Sequence, residues 1–101
     1  MIIMKRLLWW LIAGSRGGKN RARIIEALYE RPYNVNQLST ELELDYKTVK
    51  HHIDVLKKHD IINSSEKKRY GSMYFLSNRI EEKYQIFQEI LSKMKKTNHK
   101  R

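Results

Sequence analysis

The stretch from Asn36 to His59 reads NQLSTELELDYKTVKHHIDVLKKH and decides the fold. Its apolar residues recur every three or four positions in two separate runs, a spacing that places each run on one face of a short helix. Residues 43–45 connect the runs and contain one apolar side chain, Leu44. Two short helices joined by a tight turn with an apolar residue are typical of a helix-turn-helix. The apolar positions are Val35, Leu38 and Leu42 in the first helix, and Val49, Ile53 and Leu56 in the second.

Polar residues mark where these two helices begin. We expect Asn36 to cap the first helix, because its side-chain oxygen can accept a hydrogen bond from an amide of the first turn. We expect Asp45 to cap the second helix, where its negative charge also complements the positive end of the helix dipole. The second helix is then predicted over Tyr46 to His59, with its apolar stripe facing inward.

The residues before this unit predict two more helices. In the first of them, at the N-terminus, only Lys5 and Arg6 are charged, and a glycine-rich loop over residues 14–18 follows it. The next segment repeats apolar residues at helical spacing as far as Pro32, which has no amide hydrogen to donate inside a helix.

The residues after the unit predict a hairpin and a final helix. Residues 61–67 and 73–76 favour strands, and a basic turn with Gly71 lies between them. Asn78, followed three residues later by Glu81, is typical of a helix start. Apolar residues then recur in a heptad-like pattern, which predicts an amphipathic C-terminal helix.

The predicted fold class is mainly α with a small β-hairpin: a winged helix-turn-helix with added N- and C-terminal helices. The hairpin is the wing. We assign the two terminal helices to dimerisation, because large apolar surfaces on a small domain need a cover. The predicted segments are an apolar N-terminal helix over residues 1–14, the winged helix-turn-helix over 19–77, a C-terminal helix over 78–96 and a basic tail over 97–101.

The charge favours a phosphate-bearing partner. The 101 residues include 21 Lys and Arg against 11 Asp and Glu, a formal net charge of +10 that attracts anionic partners over long range. This charge is uneven, because residues 36–78 have a net charge of only +1, whereas residues 1–35 have +5 and residues 79–101 have +4. We therefore expect the DNA affinity of the helix-turn-helix to depend on the positions of its charges, while the flanks add non-specific attraction.

The composition disfavours several classes of protein. The absence of cysteine excludes disulfides and thiolate metal sites, and it is compatible with a reducing, cytoplasmic location. The longest apolar run, residues 7–13, is far shorter than the roughly 20 residues of a membrane span, so no span is expected. A signal peptide and attachment to a membrane surface remain alternatives for this N-terminal segment.

An enzyme is not expected, because no nucleophile, carboxylate pair or metal set occurs at a workable spacing. The glycine-rich loop differs from a nucleotide-binding loop in its glycine spacing, and Asn20 stands where Ser or Thr would bind magnesium. His52 and His59 are a weak signal for metal ligands in the absence of thiols. We expect His52 instead to be half-buried and hydrogen-bonded, and we predict no metal site and no cofactor.

From Arg21 to Leu76 the chain resembles ArsR-like winged-helix transcriptional regulators, particularly archaeal ones. The resemblance rests on the order of the elements and on two strings, VNQL at 35–38 and LDYKTVKHHIDVLKKH at 44–59. It implies that the helix from Tyr46 reads the major groove, that the hairpin contacts the backbone or minor groove, and that the terminal helices build a homodimer.

The chain departs from this family's pattern in two ways. Glu43 and Asp60 stand where such proteins commonly place Gly, so we expect left-handed backbone with mild strain at both. The Cys, His and carboxylate clusters of the family's metal-sensing members are absent, and metal sensing is therefore not expected.

Polar side chains opposite the apolar stripe of the second helix are candidates for DNA contact, because they are free to meet base edges and phosphates. Cations at the hairpin turn and around the first core helix could bind phosphates. The alternative for each is an ordinary solvated surface. The candidates are Tyr46, Lys47, Thr48, Lys50 and His51 on the second helix, Lys67, Lys68, Arg69 and Tyr70 at the hairpin turn, and Arg21, Asn36 and Gln37.

Apolar side chains of the two terminal helices are candidates for a dimer interface. The N-terminal helix is apolar on nearly every side, so we expect it to be covered by more than its own small domain. The candidates are Leu7, Trp9, Trp10 and Leu11 at the N-terminus, and Ile80, Tyr84, Phe87, Leu91 and Met94 towards the C-terminus.

These features predict a sequence-specific transcriptional regulator that binds double-stranded DNA as a homodimer. Its two reading helices would enter successive major grooves, so the target would be roughly palindromic. The alternative is a winged-helix module that binds another protein and touches nucleic acid incidentally, because a fold does not fix a function. The residues identify no effector.

Overall fold

The computed structural model describes the backbone of residues 2–65 and 71–99, and the side chains of residues 4–65 and 71–95. Within these residues the chain forms six α-helices and one antiparallel hairpin, which confirms the predicted fold class. The elements are α1 (Ile2–Leu8) followed by a π-helical turn (Trp9–Ala13), α2 (Gly18–Glu30), α3 (Val35–Leu42), α4 (Tyr46–Lys58), β1 (Ile62–Ser64), β2 (Tyr74–Leu76), α5 (Asn78–Glu82) and α6 (Tyr84–His99).

The core lies between the helix-turn-helix and the two terminal segments. Helix α4 packs against α2, α3 and β1, while the π-helical turn packs against α2 and α6. The apolar stripes that predict the helices pack against one another in this core. One continuous cluster of buried residues therefore includes side chains of both the helix-turn-helix and the terminal helices. Its largest fully buried side chains include Phe87, Leu8, Leu11, Ile24, Ile53 and Leu56.

The start of α3 differs from the sequence prediction. Asn34, not Asn36, is the N-cap: its Oδ1 accepts a hydrogen bond from the Gln37 amide at 2.8 Å. The side chain of Gln37 returns the contact, because its Oε1 accepts from the Asn34 amide at 2.9 Å, completing a capping box. Asn36 lies inside the first turn and is exposed. Periodicity does not separate these two asparagines, since they flank Val35, the first residue of the apolar stripe.

Two non-glycine residues adopt left-handed backbone, as the sequence predicts. Glu43 ends α3 with φ of 56° and Asp60 follows α4 with φ of 61°. After Glu43, the amide of Leu44 donates to the Ser39 carbonyl at 3.1 Å, so the turn supplies a partner for a terminal carbonyl of α3. The connection can therefore reverse the chain within residues 43–45.

The hairpin is shorter than predicted. Its register pairs Ile62 with Leu76 and Ser64 with Tyr74. Tyr74 also forms an isolated antiparallel bridge with Tyr33, which ties the hairpin to the segment before α3. The predicted strand residues 66 and 67 lie outside the described residues.

The C-terminal helix is interrupted near its start. Ser77 is the N-cap of α5, in place of the predicted Asn78, and α5 ends at Glu82. The amide of Lys83 donates to the carbonyls of Arg79 and Ile80, after which α6 begins at Tyr84 and continues to His99, beyond the predicted end.

The N-terminal helix has two different faces, and only one of them is covered within its own chain. Leu8, Leu11 and Ile12 are buried in the chain's own core, whereas Trp9 is 44% and Trp10 53% exposed. The π-helical turn contributes to this division, because its hydrogen bond from the Gly14 amide to the Trp9 carbonyl closes a wider turn than that of an α-helix.

The corrected start of α3 can be tested by stability. Replacing Asn34 with Ala removes the cap, and we expect the free energy of unfolding in urea to fall by about 1 kcal/mol. Asn36→Ala is the matched control: it removes an exposed side chain inside the helix and should change stability by less than about 0.5 kcal/mol. Equal losses in both variants would show that Asn34 is not the cap.

Candidate nucleic-acid interface

Helix α4 presents a polar face to solvent because its opposite face is fully buried. Val49, Ile53 and Leu56 have no exposed surface. At helical periodicity the residues on the opposite side of the helix then point outward. Of the predicted contacts on α4, Tyr46, Lys47 and His51 are exposed, and Lys50 and Thr48 are partly exposed.

Asp45 and Thr48 form the cap at the start of α4, as the sequence predicts. Asp45 accepts from the Thr48 amide at 3.2 Å and from the Thr48 hydroxyl at 2.7 Å. These hydrogen bonds hold the pKa of the Asp45 carboxyl below its ordinary value. The hydroxyl proton of Thr48 is thus engaged by Asp45, and only its oxygen lone pairs are free for another donor.

Lys50 is paired along the helix with Asp54, a residue that the sequence analysis did not single out. The Lys50 Nζ lies 2.9 Å from Asp54 Oδ1, and this hydrogen bond raises the pKa of Lys50. The spacing of four residues between opposite charges was the signal that could have revealed the pair. Asp54 therefore places a negative charge on the face that would meet DNA.

A groove of about 220 Å³ lies where the starts of α3 and α4 approach the hairpin. Asn36, Tyr46 and Lys50 line it together with Ser72 and Tyr74 of the hairpin side. The structure thus brings three predicted contacts from two helices to one surface. Gln37 is on the same helix as Asn36, but its side chain is held in the capping box. The predicted hairpin contacts Lys67, Lys68, Arg69 and Tyr70 lie outside the described residues.

Arg21, predicted as a DNA contact, is instead buried in the core with 5% of its surface exposed. Its guanidinium is engaged by other parts of the chain: Nε donates to the Leu11 carbonyl at 2.9 Å, and Nη2 donates to the Ser15 hydroxyl and the Arg16 carbonyl. Burial lowers the pKa of Arg21. The sequence shows a cation near a helix start, but not the acceptors that draw it inward.

His52 lies behind the exposed face and is hydrogen-bonded, as predicted, but it is buried and not half-buried. Its Nδ1 lies 3.3 Å from Arg21 Nη1. A guanidinium has only donors, so Nδ1 must be the acceptor and the neutral ring carries its proton on Nε2. Burial, and next the charge of Arg21, lower the pKa of His52.

His59 contacts the N-terminal segment through its ring. Its ring lies edge-on to the Trp10 ring, with centroids 6.2 Å apart. Among the described residues, no group of three or more His, Asp or Glu side chains is placed to hold a metal ion.

The predicted dimer residues divide into two groups. Leu11, Ile80 and Phe87 are at most 1% exposed, because they pack inside their own chain, and so they are not available to a second copy. Tyr84 stacks on Tyr29 with ring centroids 3.7 Å apart, and burial raises its pKa to about 12. The remaining residues lie at the surface: Trp9 and Trp10 are exposed, and Leu7, Leu91 and Met94 are partly buried.

None of the described helices is both long enough and apolar enough to cross a membrane.

Residues 18–64 match the sequence model described as bacterial regulatory protein, arsR family. The matched segment begins with α2 and ends with β1, so it contains the whole helix-turn-helix. A comparison with curated protein sequences gives no match.

Solved structures share the fold over most of the chain. Rv0081 from Mycobacterium tuberculosis superposes with a TM-score of 0.71 at 18% identity, covering 96% of this chain and 94% of that one. The transcriptional regulator HlyU from Vibrio vulnificus gives 0.66 at 16% identity, covering 88% and 90%. The adhesin competence repressor AdcR from Streptococcus pyogenes gives 0.64 at 15% identity, covering 97% and 71%. The superpositions show a common fold, and at such low identities they show the fold alone.

The fold and the outward polar face of α4 define a winged helix-turn-helix protein of the DNA-binding class. With the match over residues 18–64, the resemblance inferred from the sequence is confirmed. Over residues 18–64 the chain is similar to the arsR family of bacterial regulatory proteins, and its structure has an ArsR-like winged helix-turn-helix.

The buried state of His52 predicts a pH dependence of stability. Its pKa is lowered from the ordinary 6.5 on folding, so the unfolded chain binds a proton more readily. The contribution of His52 is present above pH 6.5 and is lost as the pH falls below it. His52→Asn keeps an acceptor but does not titrate. When the pH is lowered from about 7.5 to about 5.5, we expect this variant to lose less thermal stability than the unmodified chain loses. Equal losses would contradict the buried neutral ring.

Proposed function

We propose that the protein is a sequence-specific regulator that binds double-stranded DNA as a homodimer. In this proposal α4 enters the major groove, and the hairpin lies on the backbone or in the minor groove. The observation that carries the proposal is the exposed polar surface at the first two turns of α4, formed by Tyr46, Lys47, Lys50 and His51. A reading helix contacts base edges with its N-terminal residues, and these residues occupy that part of α4.

The charges on α4 suggest a division of roles. Lys47 can approach a phosphate directly, whereas Lys50 must either leave Asp54 or reach DNA with Asp54 beside it. A carboxylate repels the backbone but can accept a hydrogen bond from the amino group of cytosine. The pair Lys50 and Asp54 would therefore favour some base pairs and disfavour non-specific contact, while the basic flanks provide most of the salt-dependent affinity.

The homodimer is supported by the exposed side of the N-terminal segment. Trp9 and Trp10 are next to each other in the chain, and both leave about half of their surface open. Large aromatic side chains in this state are enriched at interfaces between proteins. Leu7, Leu91 and Met94 are partly buried and could extend the surface, since α1 packs against α6. We place the protein in the cytoplasm, where it would meet DNA.

The reading face can be tested with a duplex selected from a random DNA pool by the unmodified protein. We expect Lys50→Ala together with His51→Ala to weaken binding to that duplex by about tenfold or more, because each good base contact contributes about 1–3 kcal/mol. Binding to a scrambled duplex of the same composition should change much less. Competition titrations at fixed salt measure both constants.

Lys58→Ala is the matched control, since it removes the same charge from the last turn of the same helix. It should weaken binding to the selected and the scrambled duplex by the same factor. Retention of the full preference by the double variant would exclude this face as the reader. A protein that selects no DNA but binds another protein would support the alternative interaction module.

The interface can be tested by the mass of the protein in solution. We expect Trp9→Glu to shift sedimentation from dimer towards monomer, because the substitution places a charge in an apolar contact. Phe75→Glu is the control, since Phe75 is also an exposed aromatic residue but lies on the hairpin. A dimer that persists in Trp9→Glu, or a monomer in the unmodified protein, would exclude this placement.

A further inference from the structure

Arg21 joins three parts of the chain through one buried guanidinium. Through Nε it contacts the Leu11 carbonyl near the end of the N-terminal helical segment. Through Nη2 it contacts the loop, at the Ser15 hydroxyl (2.5 Å) and the Arg16 carbonyl (3.0 Å). Through Nη1 it contacts His52 on α4. All four acceptors are neutral, so the contact network distributes a buried charge over dipoles from separate elements.

The Leu11 carbonyl is available to Arg21 because the N-terminal helix stops at Ala13. The last carbonyls of a helix lack the amides of a following turn, and a guanidinium is a suitable substitute donor. Arg21 itself sits in the first turn of α2, directly after the loop. Its position in the sequence therefore places one side chain between the end of one helix and the face of another.

The contact with His52 is directional, unlike the apolar packing of α4. Val49, Ile53 and Leu56 hold α4 against the core, but the hydrophobic attraction is non-directional and does not by itself define the rotation of the helix about its axis. A hydrogen bond to Nδ1 restricts that rotation, because it weakens steeply when its angle changes. His52 follows His51 in the chain, so any rotation that moves one ring also moves its exposed neighbour.

Gly17 provides the space for this arrangement. Its φ is +82°, and a Cβ atom added there would lie 2.7 Å from His52 Cε1 and 3.4 Å from Arg21 Nη1. The loop backbone is thus pressed against the contacting side chains of α2 and α4. Trp10 reaches α4 at a second place, through the ring of His59 at its C-terminal end.

We propose that Arg21 is the positioning residue of the reading helix: through His52 it fixes the rotation of α4 relative to the N-terminal segment, and thereby the base preference. This inference rests on the proposed function, because it requires α4 to read bases. It assigns to the N-terminal segment a role beyond pairing two copies, since the same segment supplies the carbonyls that hold Arg21 in place.

The test uses the full chain and the two duplexes defined above, the selected one and its scrambled counterpart. His52→Leu replaces the imidazole with an apolar side chain of similar size and removes the acceptor. We expect the preference for the selected duplex to fall about tenfold, while binding to the scrambled duplex stays within about twofold. His52→Asn places an amide oxygen close to the position of Nδ1 and should restore the preference to within about twofold.

A pH series separates positioning from a merely structural role. Protonation of His52 turns its acceptor into a donor facing Arg21, so acid should reduce the preference of the unmodified protein but not that of His52→Asn. The charged or titratable groups around the ring are Arg21 from α2 and His51 from α4. Both are retained in His52→Asn, so the difference between the two proteins reports on residue 52.

The outcomes are distinct. If the unmodified protein selects no duplex, the proposed function fails. If it selects one, three results would contradict the positioning role. His52→Leu could keep the preference or weaken binding to both duplexes equally, or His52→Asn could fail to restore the preference. If His52→Leu does not fold, the pH series with the two folded proteins decides, and parallel loss of preference in both would overturn the inference.

Discussion

The burial of one stripe on α4 is the constraint on which the rest of the structure depends. Val49, Ile53 and Leu56 are completely removed from solvent. Each contributes about 1.5–3 kcal/mol, which exceeds the intrinsic helix preference of any single ordinary residue. Helices α2 and α3 and strand β1 are arranged around this stripe, and the outward direction of the polar side chains follows from it without further specification.

The same constraint explains how much could be predicted from the sequence. The periodic apolar residues located both helices of the helix-turn-helix, and Asp45 located the start of α4. The start of α3 was misplaced by two residues because Asn34 and Asn36 have equal capping chemistry. The structure distinguishes them, because Asn34 has an extended backbone, with φ of −90° and ψ of 176°, and forms the capping box with Gln37.

Errors were larger wherever the environment of a residue is built by distant parts of the chain. Arg21 was taken for a surface cation, although acceptors ten and thirty-one residues away hold it inside. Phe87 and Leu11 were assigned to an interface with a second copy, because a heptad-like stripe does not specify which surface covers it. Trp9 and Trp10 are apolar like their buried neighbours, and only the packing of the helical segment shows that they point outward.

The close approach of Gly17 to His52 also restricts how this sequence can diverge. A side chain at position 17 would have to adopt a left-handed backbone and would need a smaller residue at position 52. A substitution at either position alone is therefore expected to reduce stability. Substitutions at these two positions should therefore occur as a pair in descendants of this sequence. A descendant that exchanges both would have to find another directional contact for α4, and its choice of DNA sequence would be free to change at that step.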